Sequence, residues 1–441
     1  MARRRRYSRM PRRGRVIGAA FAVLAAVAVV LTSCRTSTSP RFERPPLAAV
    51  PRSEPTVRVR IAAGVDRVLI VGPGHVQVGV FLGPGQVDQA RTFSTPLHIL
   101  RRDNRFELRP AGGQPLAWRV DALLVTPLRG ADGMSVNGTS YPGRLALHAA
   151  DLPQRPGTGL DVVNHVLMET YLPGVLEREL YSYWHSQTFI AQAIAARSYA
   201  IATMARTRNR HYDLESTTAS QVYGGVARNT RAIDAVRQTR GVVLMWADQV
   251  LPAYYSSSCG GSGQDAAYAF PNAQSIPPLA ATYRGNWCSN SNSFRWGPIA
   301  HDRTQLSQRI AAWGKAGGMS IANLKKIRQI TIASRNGVGR PVSFQIVDEA
   351  GKAYTLGAEH FRFACNYDGP GAPPLPSGST LKSSHVTPVV QGERVVFTDG
   401  RGHGHGVGLC QHGAQAMAQQ GHHAVSILNF YYPQAELKRI Y

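Results

Sequence analysis

The segment YLPGVLERELYSYWHSQTFIAQAIAARSYA, residues 171–200, carries two helical patterns. Its second half, continued to residue 206, predicts a helix because its apolar residues recur near helical spacing. These residues are Phe189, Ile190, Ala193, Ile194, Ile201 and Met204. The first half predicts a shorter helix, with Thr170 as its N-cap and Pro173 in its first turn.

Strands are predicted on the N-terminal side of these helices. From about residue 56 to 165, runs such as VRVRIAA, VLIVG and VQVGVFLG are separated by Gly, Pro and Asp. Further strands are predicted at GVVLMW, 339–348 and 393–398, and helices at NTRAIDAVRQTR, 302–330 and GAQAMAQQG. The whole chain therefore predicts an α+β fold, with a β-rich region at 56–160 and a mixed helix and strand core at 161–441.

The first 34 residues have the pattern of an export signal. An arginine-rich start, MARRRRYSRMPRRGR, precedes the uncharged run VIGAAFAVLAAVAVVL, which is short for a membrane span. The run ends in Leu31-Thr32-Ser33-Cys34, which resembles a bacterial lipobox, in which the cysteine is lipidated. Two alternatives to a lipoprotein signal are an uncleaved signal anchor and a cleaved signal in which Cys34 has no role. All three place the rest of the chain at the outer face of the cytoplasmic membrane, behind a Pro/Ser-rich tether at 35–55.

The charge of the chain points to the cell envelope as its surroundings. The formal net charge is +24, which suits association with an anionic envelope. Export removes nucleic acid as a routine partner, so we expect no nucleic-acid function.

Four cysteines remain once Cys34 is set aside, an even number in an oxidising compartment. Cys259 and Cys288 lie in one segment, and we predict a disulfide between them. Cys365 and Cys410 either form a second disulfide or stay as buried thiols. None of the four shows the Cys-x-x-Cys spacing of a zinc site.

The glycine-rich segment RGHGHGVGLCQHGA, residues 401–414, allows three interpretations. A phosphate cradle would need a G-x-G-x-x-G frame inside a βαβ unit, and the glycines here alternate instead. A metal site would use His403 and His405, joined by Cys410 or His412. The third interpretation, which we favour, is a tight backbone that lines a cleft. We therefore predict no metal and no cofactor.

Five motifs in order resemble the SpoIID family, the group of stage II sporulation protein D and the LytB amidase enhancers. The first is the stretch 171–200, and the others are Ser220-Gln221-Val222-Tyr223, YSSSCGG (255–261), GHGVGLCQHGAQAMAQQG (404–421) and Tyr431-Tyr432-Pro433. The match extends from about residue 160 to 441. The resemblance implies a catalytic core with a substrate cleft that binds peptidoglycan glycan strands.

The resemblance implies a lytic transglycosylase with Glu179 as its catalytic acid and base. It also implies that the cleft is lined by Arg197, Tyr223, Ser257, Ser258, His405 and Gln411. The rival function under the same family name is a non-catalytic protein that binds the wall and stimulates a separate cell-wall amidase.

One glutamate suffices for lytic cleavage, because no water has to be activated. Such an acid must be protonated near neutral pH, and an apolar setting raises its pKa. We expect Leu180, Tyr181 and Trp184 to supply that setting. Glu177, two residues earlier, should face elsewhere on the helix. Some members of the family bind zinc near the second motif, but Ser220 stands in the cysteine position here and His211 has no cysteine near it, so we expect no zinc there.

Overall fold

The computed structural model describes residues 53–72, 74–128, 133–151, 156–271 and 273–441, all within the unit Ala48–Tyr441. The signal segment with Cys34, and the tether up to residue 52, lie outside the described residues. None of the described helices is both long enough and apolar enough to cross a membrane. The predicted α+β class is confirmed, with the strands concentrated toward the N-terminal side.

Two sheets pack face to face in the N-terminal region, because alternate residues along their strands are apolar. Val57 and Val59 of one sheet, and Val68 and Ile70 of the other, are buried in the same core. The first sheet has the order β13-β1-β12-β11-β8-β3-β4, with only β13 parallel to its neighbour among the described pairs. Its strands are β1 (Thr56–Val65), β3 (His75–Gly83), β4 (Gln86–Ser94), β8 (Ala122–Pro127), β11 (Arg144–Ala149), β12 (Leu160–Leu167) and β13 (Leu214–Glu215).

The second sheet is antiparallel and has the order β10-β9-β2-β5-β6-β7. Its strands are β2 (Arg67–Val71), β5 (Leu97–Arg102), β6 (Arg105–Pro110), β7 (Leu116–Trp118), β9 (Met134–Val136) and β10 (Thr139–Tyr141). The strands predicted between about 56 and 165 are thus present. The first sheet continues past residue 160 through β12, and the domain boundary at 160/161 remains a prediction.

The first helix, α1 (Met168–Glu179), begins three residues earlier than predicted, so the assignment of Thr170 as N-cap is wrong, and Pro173 lies inside the helix instead of in its first turn. Strand β12 runs directly into the helix, and Leu167 at the N-cap makes no side-chain bond. The free amides at the helix start are satisfied from outside. Met168 donates to the Pro55 carbonyl at 3.0 Å, and Glu169 donates to a Glu54 carboxylate oxygen at 3.0 Å.

The second helix, α2 (Ser186–Arg206), lies between two apolar cores and matches the prediction. Ala193, Ala196 and Ala200 belong to the core of the two sheets. Ala191, Ile194 and Ala195 belong to a second core formed by the later part of the chain. The small side chains allow both cores to approach the helix backbone closely.

The later part of the chain alternates short helices with small sheets. The helices are α3 (Thr230–Gln238), α4 (Ala266–Ala269), α5 (Arg303–Ala316), α6 (Ala358–Cys365), α7 (Gln411–Gln419) and α8 (Ala424–Tyr431). The predicted helix at 302–330 is too long, since Gly317 and Gly318, the latter in the left-handed region, end α5.

Five small sheets connect these helices. Strands β14 (Val242–Trp246), β15 (Gln249–Val250) and β26 (Glu436–Arg439) form one, and β16 (Tyr255–Ser256) pairs in parallel with β25 (Leu409–Cys410). The other three sheets contain β17 (Arg295–Trp296) with β24 (Gly400–Arg401), β18 (Ile299–Asp302) with β22 (Thr387–Gln391) and β23 (Arg394–Thr398), and β19 (Ile327–Arg335) with β20 (Pro341–Asp348) and β21 (Ala353–Gly357). The parallel pair brings the fourth motif beside the third.

Candidate active site

Glu179 is the last residue of α1, at the point where the chain becomes extended at Leu180. The helix is fixed by Tyr171, Leu172 and Val175, which are all fully buried. The Glu179 side chain is half-buried. A residue at the end of a well-packed helix is held in a defined position while the chain beyond it remains open to a ligand.

Three hydrogen-bond donors from different parts of the chain surround the Glu179 carboxylate. The backbone amide of Val222 donates to Oε1 at 3.0 Å, and Nε2 of Gln411 donates to Oε2 at 3.2 Å. The hydroxyl of Tyr255 also acts on the carboxylate, in the direction that lowers its pKa. Glu179 therefore lies where the first, second, third and fourth motifs meet.

Burial and these donors act on the pKa of Glu179 in opposite directions. Burial disfavours the charged form and raises the pKa, whereas the bonds from Val222, Gln411 and Tyr255 lower it. Burial has the larger effect, so the pKa is raised above its ordinary value. This is the direction that a general acid working near neutral pH requires.

A buried hydrogen-bond network orients Tyr255 toward Glu179. The Tyr171 hydroxyl donates to Oε1 of Gln221 at 3.1 Å, which fixes the orientation of that amide. Nε2 of Gln221 then donates to the Tyr255 hydroxyl at 3.0 Å and to the Ala196 carbonyl at 3.2 Å. Because the Tyr255 oxygen accepts from Gln221, its own proton is available to the carboxylate.

Aromatic side chains follow Glu179 directly and form a surface that we call the aromatic shelf, made of Tyr181, Tyr183, Trp184 and His412. Tyr181 and Tyr183 are 55% and 72% exposed and stack with their ring centroids 5.6 Å apart. Trp184 is buried and meets the His412 ring at 5.0 Å. Leu180 and Trp184 are buried as expected of an apolar setting, but Tyr181 faces solvent.

The third and fourth motifs are locked together behind the carboxylate by backbone bonds and one buried arginine. Ser258 and His403 exchange two backbone hydrogen bonds, at 2.7 and 3.2 Å. The fully buried Arg340 donates to the carbonyls of Cys259, Ser262 and Gly404 at 3.1 to 3.3 Å. These contacts fix the position from which Gln411 reaches Glu179.

Of the residues predicted to line the cleft, Gln411 is the one that contacts Glu179. Ser257 is half-buried, and its carbonyl accepts from the His412 amide at 3.0 Å. His405 is half-buried against the Phe270 ring at 4.9 Å, and Nδ1 accepts from the Val407 amide. Burial lowers the pKa of His405 to about 4, so the ring is neutral at physiological pH.

Arg197, Tyr223 and Ser258 are buried in this structure, and their assignment to the cleft stays a prediction. Arg197 is 0% exposed and forms an ion pair with Glu169 at 2.7 Å. The buried Tyr223 donates to Asn164 at 3.0 Å. Ser258 is fully buried, and its hydroxyl has no hydrogen-bond partner among the described residues.

Tyr255, Gln221 and the Val222 amide were not predicted from the sequence, although all three lie in the identified motifs. In the second motif the prediction fell on the aromatic residue, Tyr223, whereas the Val222 amide donates to Glu179 and Gln221 donates to the Tyr255 hydroxyl. The available signal was that a carboxylate needs hydrogen-bond donors, which the second and third motifs supply.

The predicted partners Cys259 and Cys288 are adjacent but not bonded, with their sulfurs 3.7 Å apart. The disulfide predicted between them is not formed in this structure, and it stays a prediction for the exported protein. The Cys410 sulfur lies in the same group, whereas Cys365 is buried in the core around α5 and α6. Cys365 and Cys410 thus belong to different cores, and both are free thiols in this structure. The histidines of the fourth motif do not belong to this group.

Comparison with known proteins adds the following similarities. The model of the family described as Stage II sporulation protein, SpoIID, matches residues 156–246, which include Glu179 and Val222. An uncharacterized protein of Brachyspira hyodysenteriae is 27% identical over 306 residues, which cover 68% of this chain and 73% of the relative.

Two relatives carry descriptive names. The chain is 28% identical over 294 residues to the protein of Bacillus subtilis named Amidase enhancer, covering 60% of this chain and 40% of that protein. It is 23% identical over 348 residues to Stage II sporulation protein D of Bacillus amyloliquefaciens, covering 72% of this chain and 91% of that protein. The chain thus spans well under half the length of the amidase enhancer.

Proposed function

We propose that this chain, whose residues 156–246 match the SpoIID family model, is a peptidoglycan lytic transglycosylase acting on glycan strands stripped of stem peptides. The observation that carries the proposal is the environment of Glu179. This half-buried carboxyl has a raised pKa and is held by donors from separate motifs. A carboxyl that is positioned and readily protonated is suited to general acid catalysis.

In the proposed reaction, Glu179 first donates its proton to the glycosidic oxygen as the bond from that oxygen to the anomeric carbon of muramic acid breaks. The 6-hydroxyl of the same muramic acid then forms a new bond to that carbon. The Glu179 carboxylate takes the hydroxyl proton and is protonated again. The products are a 1,6-anhydro-muramoyl end and a free 4-hydroxyl, and no water is consumed.

The surroundings of Glu179 support a glycan as the substrate. The exposed rings of Tyr181 and Tyr183 offer flat apolar surfaces to sugar faces. Next to them, a depression is lined by Tyr183, Trp184, Arg231 and Gln415. Stripped strands expose the lactyl carboxylate of each muramic acid. We propose that the exposed Arg231 binds this anion.

The proposed place of action is the outer face of the bacterial cytoplasmic membrane, with anchoring by lipid on Cys34 or by the uncleaved signal segment. The lipobox-like ending and the apolar run before it support this placement. Mass spectrometry of the native N-terminus distinguishes the two forms. A lipidated Cys34 is the expected result, and an N-terminus at another residue contradicts lipid anchoring.

The decisive experiment compares the wild type, Glu179→Gln and Glu177→Gln on purified stripped glycan strands. Glutamine keeps the size of Glu179 but cannot donate a carboxyl proton, so the rate should fall roughly 10²- to 10⁴-fold. Glu177 accepts at 2.9 Å from the amide of Arg228, which lies outside the motifs, and its variant should retain near wild-type activity. The measurement is the appearance of 1,6-anhydro-muramoyl ends by mass spectrometry. Equal product from the wild type and Glu179→Gln would remove this residue from the mechanism.

A second candidate function is suggested by the relative named Amidase enhancer. Under this alternative, the chain binds the wall and stimulates a separate amidase without cutting glycan itself. The two functions are separated by adding a cell-wall amidase to intact peptidoglycan with either the wild type or Glu179→Gln. Stimulation that is equal for both, with no anhydro product from either, would favour the enhancer.

A further inference from the structure

Three cysteines from distant parts of the chain converge in the second core, next to the candidate site. Cys259 follows β16, Cys288 lies in a turn, and Cys410 ends β25, directly before Gln411. All three are buried, and their sulfur atoms lie within 4.8 Å of one another. The sequence shows no Cys-x-x-Cys spacing for this group, because its three cysteines are far apart along the chain and become neighbours only in the folded protein.

The separation of the sulfurs fits metal coordination better than a covalent bond. Cys259 and Cys288 are 3.7 Å apart, whereas a disulfide holds its sulfurs at about 2.05 Å. Zinc binds thiolates at about 2.3 Å in a tetrahedron, which places two sulfur ligands about 3.8 Å apart. The Cys259–Cys288 pair therefore has the spacing of two thiolate ligands, and the Cys410 sulfur lies within 4.8 Å of both.

A backbone amide points at one of the sulfurs, as amides do in metal–thiolate sites, where such bonds stabilise the ligands. The Cys259 amide donates to the Cys410 sulfur at 3.3 Å. The chain turns sharply directly after Cys259, where Gly260 and Gly261 have φ angles of 66° and 90°.

A buried cation balances the charge that such a site would carry. Three thiolates and one divalent ion have a net charge of −1. Arg284 is 2% exposed, acts electrostatically on Cys259, and its Nε and Nη2 have no hydrogen-bond partner among the described residues. A buried guanidinium without a carboxylate partner is costly unless a nearby anion compensates it.

A tetrahedral ion held by three sulfurs needs a fourth ligand, and one candidate lies close to the cysteines. The Tyr431 hydroxyl is buried and without a hydrogen-bond partner in the described part of the chain. A Cβ placed on Gly413 would lie 2.0 Å from this hydroxyl and 3.4 Å from the Cys410 sulfur, so the two groups are neighbours. Either this hydroxyl or a water completes a tetrahedron around the ion.

We propose that Cys259, Cys288 and Cys410 form a structural site for one thiophilic divalent cation of the zinc class. The ion joins the loop after β16, the turn at Cys288 and the start of α7. It thereby fixes Gln411 against Glu179 without touching substrate. The proposal is independent of the proposed function, since it concerns the content of the protein and not its reaction.

The test uses the full chain, isolated from the cell envelope without chelators. Elemental analysis should find about one zinc per chain. After the metal is removed anaerobically, titration with Cd²⁺ should give thiolate-to-metal charge-transfer absorption that saturates at about one equivalent. Cys259→Ser, Cys288→Ser and Cys410→Ser should lose the bound zinc, whereas Cys365→Ala, which removes a buried thiol elsewhere, should keep it.

Two outcomes would overturn the proposal. One is a Cys259–Cys288 or Cys259–Cys410 disulfide found by non-reducing peptide mapping of the exported protein together with no stoichiometric metal. The other is wild-type chain with three free thiols that takes up neither Zn²⁺ nor Cd²⁺. If the serine variants do not fold, these two measurements on the wild type decide alone. Neither uses glycan, so their result is separate from that of the activity assay.

Discussion

Replacing Arg197 by methionine tests whether this residue of the first motif maintains the fold or binds substrate. Arg197 is 0% exposed, and its guanidinium donates two bonds to Glu169, at 2.9 and 2.7 Å. It also donates to the Val242 carbonyl at 3.0 Å. Methionine retains most of the packing of the side-chain stem but removes every one of these donors.

The expected loss follows from what remains around Glu169. Removing one partner of a buried ion pair typically costs about 3–5 kcal/mol, because the other charge is left uncompensated. Glu169 keeps two donors here, the Gly241 amide at 3.2 Å and the Tyr441 hydroxyl at 2.6 Å. We therefore expect the free energy of unfolding of Arg197→Met to fall by ~3 kcal/mol, at the lower end of that range. Adding Glu169→Gln should restore part of it, since the unpaired charge is removed.

Denaturant unfolding followed by tryptophan fluorescence measures this loss, with Arg237→Met as the matched control. Arg237 pairs with Asp234 at 2.7 Å, but its side chain is 76% exposed. An exposed pair contributes only about 0–1 kcal/mol, so the control should remain close to wild type. If Arg197→Met lost less than ~1 kcal/mol while glycan binding disappeared, the arginine would be a substrate ligand and the structural assignment would be refuted.

The remaining predictions concern the site and its pH dependence. Gln411→Ala removes a donor that favours the charged form of Glu179, so the pKa of Glu179 should rise. The alkaline limb of the pH–rate profile should therefore move up by ~1 pH unit. As a control, replacing the exposed Gln420 by alanine should leave the profile unchanged. The folded-state pKa of His405, about 4, lies below the ordinary histidine value of 6.5, so its contribution to stability is present above about pH 6.5 and is lost as the pH falls toward 4. Denaturant midpoints should therefore decrease between about pH 7 and pH 5, less so in His405→Asn. Arg231→Ala should raise KM for stripped strands by about tenfold with kcat nearly unchanged, as expected for loss of a binding contact; an unchanged KM would place the lactyl group elsewhere.

The long helix was predictable because its pattern depends on local sequence. The apolar spacing at 189–204 needs only one buried side to produce α2, and the structure places apolar cores on both sides. The start of α1 was not predictable in the same way. Its free amides are satisfied by Glu54 and Pro55, more than a hundred residues earlier, and no nearby capping residue signals that arrangement.

The candidate site was predictable in its motifs but not in which side chain of each motif faces the acid. Glu179 and Gln411 follow from the resemblance, and their contact is present. Arg197 and Tyr223 lie in the same motifs but point into the cores, where Glu169 and Asn164 bind them. A motif contains residues that stabilise the fold as well as residues that contact the acid, because a buried ion pair is required as strictly as a catalytic contact. Only the packing of each side chain distinguishes structural residues from site residues.

The contact between Gln411 and Glu179 also has a consequence for biosynthesis. The two residues are 232 positions apart, and a chain is made and exported from its N-terminus. If this chain is exported in that direction, the acid leaves the export channel long before α7, and contacts of such separation form late in folding. If Glu179 cuts glycan, a chain still being threaded through the membrane holds an incomplete site. The wall beside the channel is then exposed to cutting only after the last helices have emerged and docked.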